Sequence, residues 1–296
     1  FPPRRYREMY RAEGARQARI SGYEIALQGR PGQGGTRWDV TARIEDAPVA
    51  VQVSVMLWSD IVQASMGRGI AGTYWLLVRT AWTYLRSGAL RQLMRLRAGP
   101  MIAALYPAVM LVGQALLAFG LGWLAGSLAG WALWPPLLWP TTLVAATLIL
   151  RWFKKIDRRI YAYYLMHDYA FSASRGGAPA PELLPRLAAF RDQIAAALNS
   201  DTDEVLVVGH SSGAEIAVMV LADLLRQGPV PPGGPVLSLL TLGQVIPMTS
   251  FLPGASGLRR DLHQMAAQDQ IPWVDISAPA DGGSFALCDP VSVSGV

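Results

Sequence analysis

Lysine is almost missing from this chain. Lys154 and Lys155 are the only two, so the net charge of +5 rests on arginine. Cysteine is rarer still: Cys288 stands alone, which excludes an intramolecular disulfide and a cysteine metal cluster and suits a reducing compartment. The three histidines, His167, His210 and His263, are scattered, and no His-Glu-x-x-His or paired-Cys spacing exists. No metal or cofactor is therefore expected. Charge of either sign is scarce, 16% of residues against 52% hydrophobic, too apolar for an ordinary soluble enzyme and indicative of a membrane class. No basic stripe carries interleaved aromatics on a nucleic-acid module, so nucleic acid is not an expected partner. The stretch "GRPGQGG" over Gly29–Gly35 reads as a loop. It lacks the Gly-Lys-Ser/Thr that would cradle a phosphate.

The longest absence is of charge. From Ala98 to Leu150 there is no Asp, Glu, Lys or Arg. A spanning helix needs about 20 apolar residues, so this run holds two spans and a tight turn. The first is expected over Met101–Leu124, reaching toward Leu128, and the second over Leu137–Trp152. Between them "GWALWPPLLWP" supplies helix-breaking prolines and the interfacial residues Trp131, Trp134 and Trp139. Gly122, Gly126 and Gly130 form a small-xxx-small ladder that allows close approach of the second helix or of a partner helix. Arg86, Arg91, Arg95 and Arg97 precede the hairpin and Arg151, Lys154, Lys155, Arg158 and Arg159 follow it. The turn carries no charge, so the positive-inside rule places both flanks in the cytoplasm. An Arg-, Ala- and Gly-heavy composition suits a GC-rich bacterial genome. The expectation is an integral protein of a bacterial inner membrane with its soluble parts on the cytoplasmic side. Upstream, "TYWLLVRTAWTYLRSGALRQLMRLRAG" reads as one helix lying in the interface, or alternatively packed on the soluble part.

The remainder divides around the hairpin. Residues 1–76 contain the strand patterns "TRWDVTARIED" and "VAVQVSVMLW", residues 77–156 the interfacial helix and hairpin, and residues 157–296 a strand–helix alternation. In that last part Leu184–Leu198 and Ser212–Arg226 have helical spacing, and Ser256–Gln268 reads as a further helix. Val205–Val208, "VLSLLTLG" and "IPWVDIS" read as strands. Such alternation with near-continuous apolar strands predicts a parallel sheet covered on both faces. The chain begins without Met and stops without a closing helix, and is expected to be part of a longer protein.

The motif that carries chemistry is Gly209-His210-Ser211-Ser212-Gly213, a Gly-x-Ser-x-Gly set between a β-run and a small-residue helix. A sharp strand-to-helix turn lifts the Ser211 oxygen clear of the sheet. The backbone N–H of Ser212, at the helix N-terminus, then faces a developing oxyanion. "VVGHSSGA", the strand "LLTLGQ" and "WVDISAPADGGSFALCDPV" together resemble the α/β-hydrolase superfamily, closest to its lipase and esterase branch, from about Asp157 onward. The resemblance implies a mostly parallel sheet with helices on both faces and hydrolysis of carboxylic esters by a Ser, an acid and a His. Gln244 departs from the small residue more usual in that branch. Asp281 follows the Trp273 strand and is the preferred acid. Asp289, in "DPV", is the alternative, and Asp275 lies within the strand as a structural residue.

The implied order places the base after the acid, and no His follows Asp281. His210 reads as a packing or hydrogen-bonding group, His167 as a surface or interface residue, and His263 as lying on the wrong side of the sheet. The base is expected beyond Val296. The hairpin suggests a lipid ester as substrate and the bilayer as partner. The alternative is a degenerate hydrolase serving as a membrane subunit or scaffold, with the hairpin docking a membrane protein or a second copy.

Overall fold

The computed structural model describes residues 3–29, 36–65, 69–173 and 175–295. Apart from Gly29, the glycine loop expected over 29–35 lies outside them. The chain divides into two compact units between Asp60 and Ile61.

In the first unit α1 (Pro3–Ser21) precedes an antiparallel sheet of β1 (Glu24–Gly29), β2 (Arg37–Ile44) and β3 (Ala47–Ser54), in the order β1-β2-β3. Glu45 and Asp46 join β2 to β3 with φ of 47° and 66°, the paired left-handed residues of a two-residue hairpin turn. Trp38 is fully buried and tilts against Tyr10 of α1, with ring centroids 5.2 Å apart.

The short α2 (Ser59–Ser65) straddles the division. Beyond it, α3 (Gly69–Arg86) and α4 (Ala89–Leu96) lead into α5 (Ala98–Ala132), which turns through a 3-10 segment at Pro135–Leu137 into α6 (Leu138–Lys155). The upstream helix is therefore not continuous. Gly88 is left-handed (φ 73°), and Arg97 is extended, so the chain breaks on both sides of α4. One face of α3 buries Leu76, Leu77 and Tyr84, while Trp75, Val78, Trp82 and Leu85 stand exposed at helical spacing on another.

Both hairpin helices are long and apolar enough to cross a membrane, and most of their side chains are left uncovered by the rest of the chain. A soluble-core helix would hide that surface. The glycine ladder sets the contact between them. A Cβ on Gly122 would stand 2.7 Å from the Thr142 carbonyl, and one on Gly126 would overlap the Leu138 carbonyl and the Thr142 hydroxyl. The first turns of α5 meet other partners. The short α7 (Asp157–Ile160) leads to α8 (Ala162–Ala173), whose first amides, Tyr163 and Tyr164, donate to the Asp157 carboxylate at 2.9 and 3.2 Å. Leu76, Leu77, Leu111, Tyr163 and Met166 then form a core shared by α3, α5 and α8. The Tyr74 hydroxyl donates to the Leu111 carbonyl at 2.9 Å.

The C-terminal part runs α9 (Leu184–Leu198), β4 (Glu204–His210), α10 (Gly213–Gln227), β5 (Val236–Leu242), α11 (Ile246–Ser250), α12 (Ser256–Ala266), β6 (Trp273–Ile276) and α13 (Pro290–Val293). The parallel sheet has the order β4-β5-β6. This overturns the expected architecture. Among the described residues the chain is mainly helical with two separate three-stranded sheets, one antiparallel and one parallel, not a mostly parallel hydrolase-type sheet with helices on both faces. The N-terminal strands pair antiparallel within their own unit, and among the described residues three later runs are β-type. Leu237, Leu239 and Thr241 are buried on one face of the parallel sheet. Across the other face, Val208 and Val274 flank Leu240 in register, each about half exposed. The apolar strands predicted two covered faces, and helices of the described residues cover one.

Gly126→Val forces the hairpin helices apart. It should cost about 1–3 kcal/mol by overpacking, read as a lower melting temperature in detergent. Gly120→Val, where a Cβ meets nothing within 4 Å, should leave the melt nearly unchanged.

Candidate active site

β4 ends at His210 and α10 begins at Gly213, so Ser211 and Ser212 make the turn. Ser211 has φ 55°, a left-handed conformation that costs a non-glycine residue on the order of 1–3 kcal/mol and persists only where its surroundings enforce it. They do so here. Its N–H donates to the Leu242 carbonyl at 3.0 Å, and its carbonyl accepts from the Ala214 N–H at 3.1 Å. A Cβ on Gly209 would stand 2.7 Å from Ala214 Cα, so a side chain there would push α10 off the strand. Ser212 is the N-cap of α10. Its amide lies where helical geometry supplies no intrahelical acceptor.

The structure brings Asp281 to the same corner. Gly243 follows Leu242, the acceptor of the Ser211 amide, and a Cβ on Gly243 would lie 3.2 Å from Asp281 Oδ2. Ser211 and Asp281 are thus both placed at the carboxyl end of β5. Asp281 Oδ1 accepts from the Gly283 N–H at 2.9 Å. That bond, then the Ser284 side chain, Arg97 and His210, holds the carboxyl below its ordinary range. It is exposed and ionised, as a group that orients an imidazolium must be.

Asp289 is occupied otherwise. It caps α13, accepting from the Val291 and Ser292 amides at 3.1 and 3.2 Å and from the Ser292 hydroxyl. Asp275 accepts from the Thr241 hydroxyl at 2.6 Å, and Trp273 Nε1 donates to that same oxygen at 2.9 Å. These bonds tie β6 to β5. Asp275 and Asp289 border a cavity of about 440 Å³ that also takes in Trp273 and Gln268 and includes neither Ser211 nor Asp281.

The histidines fall apart in space. His210 is exposed at the end of β4, within electrostatic reach of Asp281. His167, expected as a surface or interface residue, is 2% exposed inside α8, with Nε2 3.1 Å from the Thr73 hydroxyl. Burial follows from the helical period of "YAYYLMHDYAF", which places it with Tyr163 and Ala170 on the face turned to α3 and α5. His263 is exposed on α12 beside Arg259 and Arg260. Among the described residues no histidine ring is hydrogen-bonded to Ser211, and no three His, Cys, Asp or Glu side chains cluster as metal ligands.

Two features were invisible in the sequence pattern. Gln244 is fully buried: its amide donates to the Phe285 and Cys288 carbonyls at 3.4 and 3.1 Å, and its oxygen accepts from the Ile246 N–H at 3.0 Å. A larger polar residue stands there because it staples the Asp281 loop to β5. The second is Glu215, one turn into α10. Burial pushes its carboxyl up to about 7, a hydrogen bond with Thr249 pulls it back in part, and Asp168 adds to the rise. Burial likewise lifts Asp168, on α8, to about 6.

Comparison with protein-family models, curated proteins and solved structures finds no match.

The Glu215 carboxyl prefers its neutral form in the folded state, so the folded chain holds more protons than the unfolded one between the ordinary 4.5 and about 7. Stability from this group is fully present below that window and is lost as pH rises through it. Glu215→Gln should therefore raise the melting temperature relative to wild type at pH 8 and leave it nearly equal at pH 4.5.

Proposed function

We propose that this protein is a membrane-held serine hydrolase cleaving carboxylic esters of lipid-like substrates. The observation that carries the proposal is the strained left-handed Ser211, a non-glycine residue locked at a strand-to-helix turn between Gly209 and Gly213. Strain of this kind is retained where a side chain must be displayed. In this reading Ser211 Oγ attacks the ester carbonyl and passes its proton to an imidazole. The Ser212 N–H stabilises the oxyanion, and Asp281 orients the imidazole. The C–O bond then breaks, the alcohol leaves with that proton, and water releases the acid from Ser211. This reading takes the imidazole from a histidine outside these 296 residues.

The bilayer belongs to the proposal through the hairpin. Gly122 packs on Thr142 and Ala146, and Gly126 on Leu138 and Thr142, so Lys154 and Lys155 come level with about Leu111. The 21 residues from Val112 to Ala132 measure roughly 31 Å as helix, the thickness of a hydrocarbon core. The earlier turns of α5, with α3 and α8, form a stalk on the cationic side. On that stalk the exposed stripe of Trp75, Val78, Trp82 and Leu85 suits the headgroup interface. By the positive-inside rule this side is cytoplasmic.

Ser211→Ala should abolish covalent labelling by a fluorophosphonate probe. Asp281→Asn should lower kcat by roughly 10²-fold or more, while Asp289→Ala keeps the rate and loses about 1 kcal/mol of stability as a lost cap. Wild-type protein that neither labels nor turns over ester favours a non-catalytic membrane subunit instead. For topology, a cysteine at Leu133 in a Cys288→Ser background should react with an impermeant maleimide only from the side opposite the soluble parts.

A further inference from the structure

Arg97 stands between α4 and α5, extended, with its own N–H fixed on the Leu93 carbonyl at 2.9 Å. Its side chain reaches across to the loop that carries the candidate acid. Nη1 donates to the Ala286 carbonyl at 2.6 Å, and Nη2 to the Pro279 and Asp281 carbonyls at 2.7 and 3.3 Å. The three acceptors lie before, at and after the turn that presents the Asp281 carboxylate. One planar guanidinium can satisfy all three because its N–H groups diverge in a fixed fork, which a lysine ammonium does not reproduce. Gly99, at the foot of α5, brings its backbone close to the same loop: a Cβ there would lie 3.5 Å from the Gly282 carbonyl.

Resting on the assignment of Asp281 above, we propose that Arg97 is a positioning residue. It pins the acid loop to the foot of the helix that enters the membrane, so that α5 sets where the carboxylate stands relative to Ser211. The loop has two holds from opposite sides. Gln244 ties it to the end of β5, where Ser211 is anchored, and Arg97 ties it to α5. Phe285, fully buried beside Leu93 and Met101, closes the gap between them. With Gln244 alone the loop keeps its contact through the Phe285 and Cys288 carbonyls, but the segment from Pro279 to Gly283 loses its guanidinium anchor. Arg97 touches no reacting atom. Its effect passes through the carboxylate it places, and a displacement of about 1 Å in a positioning group is enough to cost on the order of 10²-fold in rate.

The test uses the full chain in lipid nanodiscs with two readouts. In Arg97→Ala, amide hydrogen exchange across residues 279–288 should quicken by roughly tenfold or more through local opening, while exchange in β4 and β5 stays as in wild type. On a soluble ester, kcat should fall roughly 10- to 100-fold with KM little changed, the pattern of a lost transition-state arrangement. Arg97→Lys should recover part of both, and millimolar methylguanidinium should restore both in Arg97→Ala, which a merely global destabilisation would not allow. Should Arg97→Ala fail to fold, Arg97→Gln and Arg97→Lys carry the same comparison. Unchanged exchange across 279–288 in these variants overturns the proposal, as does a loosened loop with unchanged kcat. If wild type itself turns over no ester, the Ser211 assignment has failed, and the exchange readout alone decides whether Arg97 holds the loop.

Discussion

The constraint on which this molecule is built is the charge-free stretch from Ala98 to Leu150. A stretch so apolar, long enough to cross a membrane twice, satisfies its backbone N–H and C=O groups within itself as two helices. Their packing needs backbones that come close, because apolar side chains gain nothing from each other that lipid does not also offer. Gly122 and Gly126 provide that approach. The hairpin then imposes its direction on the rest of its unit. α5 is longer than a bilayer requires, and its surplus turns become the spine along which α3 and α8 assemble.

The candidate site stands at the far end of that spine. Leu93 from α4, Met101 from the spine, Tyr84 from α3, Met248 and Leu252 from α11 and its following turn, and Phe285 from the Asp281 loop share one apolar cluster. The Tyr84 hydroxyl donates to the Met248 carbonyl at 3.0 Å across it. Ser211 and Asp281 both belong to the carboxyl end of the parallel sheet, and this cluster joins that end to the long apolar helix α5. A strained serine and an ionised carboxylate are thus held by elements that also hold the hairpin, which is the physical link between the membrane reading and the hydrolytic one.

Much of this was legible in the residues, and the limits have physical causes. The hairpin, the turn at Ser211 and six of the seven elements from Leu184 to Ile276, all but the short α11, follow from periodicity and from glycine and proline placement, which are local properties. The strand pattern misled on architecture. Near-continuous apolar runs report that a strand is apolar on both sides, not that both sides are covered by the described residues, and the exposed Val208 and Val274 are the outcome. His167 was misplaced because its mixed Tyr-rich surroundings hide a helix whose buried face appears only once α3 and α5 are beside it. The roles of Gln244, Glu215 and Arg97 depend on partners at least 30 positions away in the chain, Glu215 on Thr249 of α11 among them.

By itself the sequence determined that two long apolar helices form a close-packed hairpin, that the positive charge flanks it on one side, and that a serine sits at a glycine-bounded strand-to-helix turn. Each of these is decided within a few turns of chain by backbone hydrogen bonding and sterics. Only the tertiary structure decided which aspartate lies at the end of β5 that anchors Ser211, which one merely caps a helix, and which arginine of the cationic flank reaches the Asp281 loop. Those choices rest on carbonyls and carboxylates that meet only when distant segments are packed together.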